Sequence, residues 1–73
     1  MRVIFVWQPA NTTTPEDLVA DVDSIQLHTI RGILARPPED RGEAVIWVNA
    51  LTGEDTWSRQ GLRLKRVLEV RRP

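Results

Sequence analysis

Apolar residues come in short bursts divided by polar breaks, and most bursts have the length and alternation of strands. Val3-Ile4-Phe5-Val6-Trp7 is β-branched and aromatic, with apolar side chains on both faces. That pattern predicts a central strand covered on both sides, ended by Pro9. Thr14-Pro15-Glu16-Asp17 then carries helix-start chemistry: Thr14 suits the N-cap, Pro15 the first helical position, and two acids the first turn. With Leu18, Val19 and Val22 at spacings of three and four, it predicts a short helix over Pro15–Val22.

Ser24–Arg36 fits two patterns. Ile25 and Leu27 alternate with Gln26 and His28 as in a strand, whereas Leu27, Ile30, Ile33 and Leu34 recur at helical spacing. Gly32 and the β-branched Thr29, Ile30 and Ile33 favour the strand. Arg36-Pro37-Pro38-Glu39-Asp40-Arg41-Gly42 reads as an exposed loop.

Glu43–Arg59 predicts a β-hairpin. Ala44–Val48 rises into a strand, Leu51-Thr52-Gly53-Glu54 turns with Gly53 free to take a positive φ, and Thr56-Trp57-Ser58 returns. Gly61 is expected to break the chain. From Leu62 to Val70 a period of two puts Leu62, Leu64, Leu68 and Val70 on one face, which predicts a last amphipathic strand. The hairpin stretch also resembles the second half of a WW domain. Asn49, Thr52, Gly53, Glu54 and Trp57 match that family in identity and spacing over about twelve residues of the 73. The resemblance implies the hairpin turn. It does not extend to the family's proline-peptide site, because Ile46, Ala50 and Gln60 stand where that site needs tyrosine, histidine and proline, and Arg36 where the first tryptophan would fall.

The elements together predict a single small domain, residues 1–73, that is mainly β. Four or five antiparallel strands form a small sheet or partly open barrel, with one short helix near residues 15–22, an α+β sheet being the alternative. A chain this short buries only roughly 60% of its unfolded surface, and without cysteine it has no disulfide or zinc–thiolate staple. The core must therefore come from aliphatics and three tryptophans. Two of these are expected inside, with Trp57 as the exposed one. No apolar run approaches membrane-spanning length, and the N-terminus lacks a signal-peptide pattern. With no cysteine, the expectation is a cytoplasmic protein that does not engage membranes.

Charge alters this otherwise plain picture. Ten bases balance ten acids, yet six of the bases, Arg59, Arg63, Lys65, Arg66, Arg71 and Arg72, fall in the last fifteen residues beside one acid, Glu69. A predicted strand carries most of them on one face, which implies a fixed basic patch, with residues 71–73 loose. Such a patch suits an acidic protein surface or a phosphate backbone. Solvated lysine and arginine on an edge strand, guarding against aggregation, read the same way. Trp57 next to Arg59 adds an aromatic anchor.

Catalytic chemistry is not visible. His28 is the only imidazole, Asp17, Asp21 and Asp23 lack the spacing of a calcium loop, and no glycine-rich phosphate loop or nucleophile elbow occurs. The expectation is no cofactor, no metal and no enzyme. The leading reading is a small interaction protein, a regulator or inhibitor that docks on a larger protein through Trp57, Arg59, Arg63, Lys65, Arg66, Arg71 and Arg72. Its size matches the single-domain regulators that compact genomes such as those of phages encode. Nucleic-acid binding by the Arg59–Arg72 face is the first alternative. A homo-oligomeric or assembly subunit is the second.

Overall fold

A computed structural model describes residues 1–73. Five strands, β1 (Arg2–Trp7), β2 (Glu16–Asp21), β3 (Val45–Leu51), β4 (Trp57–Arg63) and β5 (Val67–Arg71), form one antiparallel sheet in the order β4-β3-β2-β1-β5. One helix, α1 (Ser24–Leu34), links β2 to β3, and 3-10 turns lie at Pro38–Asp40 and Leu64–Arg66. The expected fold class, mainly β with four or five antiparallel strands and one short helix, is what the chain adopts.

The helix is not where the local signals put it. Residues predicted as helix over Pro15–Val22 form β2 instead. It pairs with β1 along its whole length, from Arg2 opposite Asp21 to Trp7 opposite Glu16. Two helical turns are too short to stand alone, and sheet pairing overrides the cap signal. The segment favoured as a strand, Ser24–Arg36, is mostly α1. Asp23 is its N-cap, with Oδ1 accepting the Gln26 N–H at 2.7 Å. Leu27 and Ile30 are buried, and Ile33 and Leu34 pack against the core one turn on. Gly32 is on the solvent side with open space around it, so its only penalty is entropic.

The β3–β4 hairpin forms as predicted, in register from Val45 opposite Arg63 to Leu51 opposite Trp57. Its turn closes through the Thr52 N–H donating to the Thr56 carbonyl at 2.8 Å. The positive φ, 58°, falls on Asp55 and not on Gly53. Gly61 does not break the chain. It sits within β4 opposite Trp47, whose indole covers it so closely that a Cβ there would meet the ring at 3.2 Å.

The predicted strand over Leu62–Val70 is interrupted by the 3-10 turn at Leu64–Arg66, which moves the buried phase from period two to a spacing of three. Leu62, Leu64 and Val67 are buried. Trp7 pairs with Val67 and Val6 with Glu69, so Leu68 is the extra residue of a β-bulge. It stands 57% exposed on the outside, although the period-two pattern places it inward. Arg71, expected to be loose, closes β5.

β4 and β5 are opposite edges of the sheet, yet only three residues join them. Four strand spacings would set flat edges about 19 Å apart, whereas the chain from Arg63 to Val67 spans at most about 14 Å fully extended. The open sheet must therefore curl. Its concave face carries Val3, Phe5, Ala20, Val48 and Leu62, and α1 closes this side against β5 and the Leu64–Arg66 turn. The prediction that β1 is covered on both faces fails for a simple reason: the chain has one helix, and the convex face has no layer over it.

Candidate functional site

Strand alternation and register determine what the convex face displays. In β1 the residues between the buried Val3 and Phe5 are Arg2, Ile4 and Val6. Ile4 pairs with Val19 of β2, and Leu51 of β3 pairs with Trp57 of β4. Pairing between β2 and β3 ends at Ala20–Ala50, so Val19 and Leu51 lie just beyond it on the same face. Ile4, Val19, Leu51 and Trp57 form an apolar row on this face, paired within β1–β2 and within β3–β4 but not across the β2–β3 seam. The adjacent row is polar: Arg2, Asp21, Asn49 and Arg59. Beyond it lies Trp47, opposite Gly61.

Two of the three tryptophans are on this face and open to solvent, Trp47 at 56% and Trp57 at 41%. The expectation of two buried tryptophans is thereby corrected, since only Trp7 packs against the core, and it is half-buried. Trp47 faces outward because its neighbours Ile46 and Val48 take the inward positions of β3, and Gly61 leaves room for its ring to lie flat on the sheet. The Arg2 guanidinium reaches across the face to 5.1 Å from the Trp57 ring centroid, a cation–π distance. Arg59 stands between the two indoles, two residues along β4 from Trp57 and next to the Trp47–Gly61 pair. At the rim, Arg59, Asn49 and Trp47 share a cleft of about 420 Å³ with Ile25 and Gln26 of α1 and with the carboxylates of Asp21 and Asp23. Gln26 Nε2 donates to the Trp47 carbonyl at 3.2 Å, which ties the start of the helix to β3.

Ion pairing divides the charges of this face. Arg71 engages Asp17 at 3.3 Å and Glu69 at 3.4 Å, the Met1 amine engages Asp21 at 3.0 Å, and Arg63 engages Glu43 at 2.9 Å. Arg2 and Arg59 alone among the cations of the convex face have no carboxylate partner.

The predicted basic patch is therefore not one stripe on one strand. Trp57 and Arg59 are together on the convex face. Arg63, Lys65 and Arg66 surround the corner at Leu64–Arg66, with Lys65 also on Glu43 at 3.6 Å. Arg71 is at the far end of β5, paired, and Arg72 follows that strand. Arg2, Ile4, Val19, Trp47 and Leu51 share the convex face with Trp57 and Arg59 but were not among the residues singled out from sequence. The signal for them was the apolar run Val3–Trp7, whose outward half has nothing over it. The three aspartates read against a calcium loop have separate tasks: Asp17 on Arg71, Asp21 on the N-terminus, Asp23 capping α1.

All eleven buried residues are apolar, so no desolvated acid, base or nucleophile sits in the core. His28 is exposed on α1, and no three metal-ligating side chains gather at one place. No helix is long and apolar enough to cross a membrane. No protein-family model, curated protein or solved structure matches the chain.

Proposed function

We propose that the protein is a non-enzymatic interaction module, a regulator or inhibitor that docks on a larger protein through the convex face of its sheet. The observation that carries this reading is an apolar row left without a covering layer, with Trp47 and Trp57 exposed beside the unpaired Arg2 and Arg59. Tryptophan and arginine dominate binding hot spots because they combine large apolar area with directed polar contacts. Burying the exposed half of two indoles removes about 200 Å² of mostly apolar surface, a gross gain of about 5 kcal/mol before the costs of association.

The unpaired charges describe the partner. Both are positive, so the complementary surface is an apolar patch rimmed with carboxylates. A second copy docked face to face would bring the same two cations against themselves, since a two-fold interface pairs a patch with itself. Nucleic-acid backbones are favoured by a continuous run of cations on one face, and here Arg63 and Lys65 lie at the Leu64–Arg66 corner whereas Arg71 lies at the far end of β5.

The test is capture on immobilised protein, comparing the wild type with Trp57→Ala and Arg59→Glu, each verified as folded by circular dichroism. One dominant protein should be retained by the wild type and lost by both variants, and its binding should shift tryptophan emission to the blue. Retention undiminished in both variants would remove the convex face from the interface. A dimer mass in solution, abolished by Trp57→Ala, would assign the face to self-association. A gel shift with single- or double-stranded DNA that weakens steeply with salt would assign the protein to nucleic acid.

A further inference from the structure

We infer that the corner around Leu64–Arg66 is a second binding site, specific for a short acidic peptide segment, and that Glu43 occupies it as an internal competitor. A cleft of about 440 Å³ lies there, lined in part by Glu43, Arg63, Lys65, Arg66 and Leu68. It contains neither Trp47 nor Trp57, so it is separate from the convex-face site.

Three cations and one carboxylate line the cleft, a net charge of plus two. The Glu43 carboxylate bridges Arg63 Nη1 at 2.9 Å and Lys65 Nζ at 3.6 Å, while Arg66 has no carboxylate within ion-pair distance. The arrangement already holds a carboxylate of this chain and has charge to hold more. Glu43 is weakly committed. Its side chain is 77% exposed, and exposed ion pairs contribute little because water competes for both partners. It follows Gly42, whose φ of +63° turns the chain just before β3. An incoming carboxylate can therefore displace Glu43 without disturbing the fold.

Leu68 determines the ligand class. The β-bulge pushes this leucine out of the core and into the cleft, where it is 57% exposed beside the cations. Bulges commonly re-aim a side chain in this way. A free phosphate makes no use of an apolar contact. A nucleic-acid backbone needs further cations along its path, whereas the next charged side chain of β5 beyond the cleft is the acid Glu69, with Arg71 beside it at 3.4 Å. A peptide that alternates carboxylates with an aliphatic side chain uses every group present.

The experiment is an amide ¹H–¹⁵N NMR titration of the full chain with a capped Glu-Leu-Glu-Glu-Leu-Glu peptide and its all-Gln analogue. Saturable shifts are expected at Gly42–Ala44 and Lys65–Leu68 with the acidic peptide and none with the analogue. Glu43→Gln should tighten binding by about threefold, because it removes the competitor. Arg66→Glu should weaken it by about tenfold or more, and Leu68→Ser should weaken it without changing its salt dependence. All three positions are exposed, so the variants should keep the wild-type spectrum elsewhere. Unchanged affinity in Glu43→Gln overturns the competitor role. Equal response to the Gln analogue, or shifts confined to the convex face, overturns the site. The same shifts with inorganic phosphate or a thymidine oligonucleotide at lower concentration overturn the peptide assignment.

Discussion

Arg41 should hold the fold together more than any other polar side chain. The sequence places it in an exposed loop, but the structure aims its guanidinium into the joint between α1 and the Leu64–Arg66 turn. Nη1 donates to the carbonyls of Leu64 at 2.9 Å and Val67 at 2.8 Å, Nη2 to that of Leu34 at 3.1 Å, and Nε to that of Arg36 at 3.0 Å. The Leu34 carbonyl belongs to the last turn of α1, where carbonyls lack helical partners. One side chain thus satisfies the helix end and the two flanks of the turn that lets the sheet curl. The Arg36 bond is exposed and is given no weight. The other three are partly buried, and each contributes about 1–1.5 kcal/mol, at or below the low end for charged donors because water can enter on deletion. Arg41→Ala should then cost about 3–4.5 kcal/mol. A 73-residue domain has about 4–11 kcal/mol in total, so the variant should lose about a quarter or more of its stability. Urea denaturation followed by tryptophan emission measures this directly. With a slope near 1 kcal/mol per molar, the midpoint should fall by about 3–4.5 M. Arg41→Lys keeps the charge but not the planar fork that reaches several carbonyls at once, and should recover about half of the loss. A loss below about 1 kcal/mol in Arg41→Ala, or full recovery in Arg41→Lys, would refute the clamp.

Two further outcomes follow from single contacts. Asp23→Ala removes the acceptor of the Gln26 N–H and should cost about 1 kcal/mol; Asp23→Ser should restore most of it, as read by thermal melts. Gly61→Ala forces the Trp47 indole off the sheet, because the new Cβ would lie 3.2 Å from the ring. Stability should change by less than about 1 kcal/mol, while acrylamide quenching of tryptophan rises; unchanged quenching would mean the ring does not rest on Gly61.

The parts of the fold legible in sequence are those where local pattern and tertiary pairing agree. The run Val3–Trp7 and the β3–β4 hairpin have the right period, length and turn, and both form. The exchange of helix and strand between residues 15 and 34 shows the reverse case. Thr14-Pro15 is a sound helix start attached to too few residues, whereas Asp23 and the spacing Leu27, Ile30, Ile33 and Leu34 support a full-length helix. Length was the deciding quantity, and the β-branched residues of α1 misdirected the reading because packing outweighs their propensity. At Leu62–Val70 the alternation was real for Leu62 and Leu64, but a 3-10 turn and a bulge each shift the phase, and neither leaves a mark in composition. The basic patch failed for the same reason. A stripe needs one continuous strand, and the chain turns a corner in the middle of it.

The most informative misreading concerns β1. An apolar strand with both faces covered is a statement about burial, and the fold supplies only one cover. Ile4 and Val6 are half-buried among their neighbours on a face that also holds two exposed indoles. The polar face of an ordinary surface strand is free to carry lysine, glutamate and threonine. Here it carries isoleucine and valine in β1, valine in β2 and leucine in β3, next to two arginines with no carboxylate on either. A chain of this size has little apolar area to leave outside its core. The same residues that leave its convex face open are the ones a partner's surface would cover, so stability and binding should be linked at this face. A partner that buries the Ile4, Val19, Leu51 and Trp57 row should raise the melting temperature of the complex above that of the free chain, and Trp57→Ala should abolish that rise while changing the free chain little.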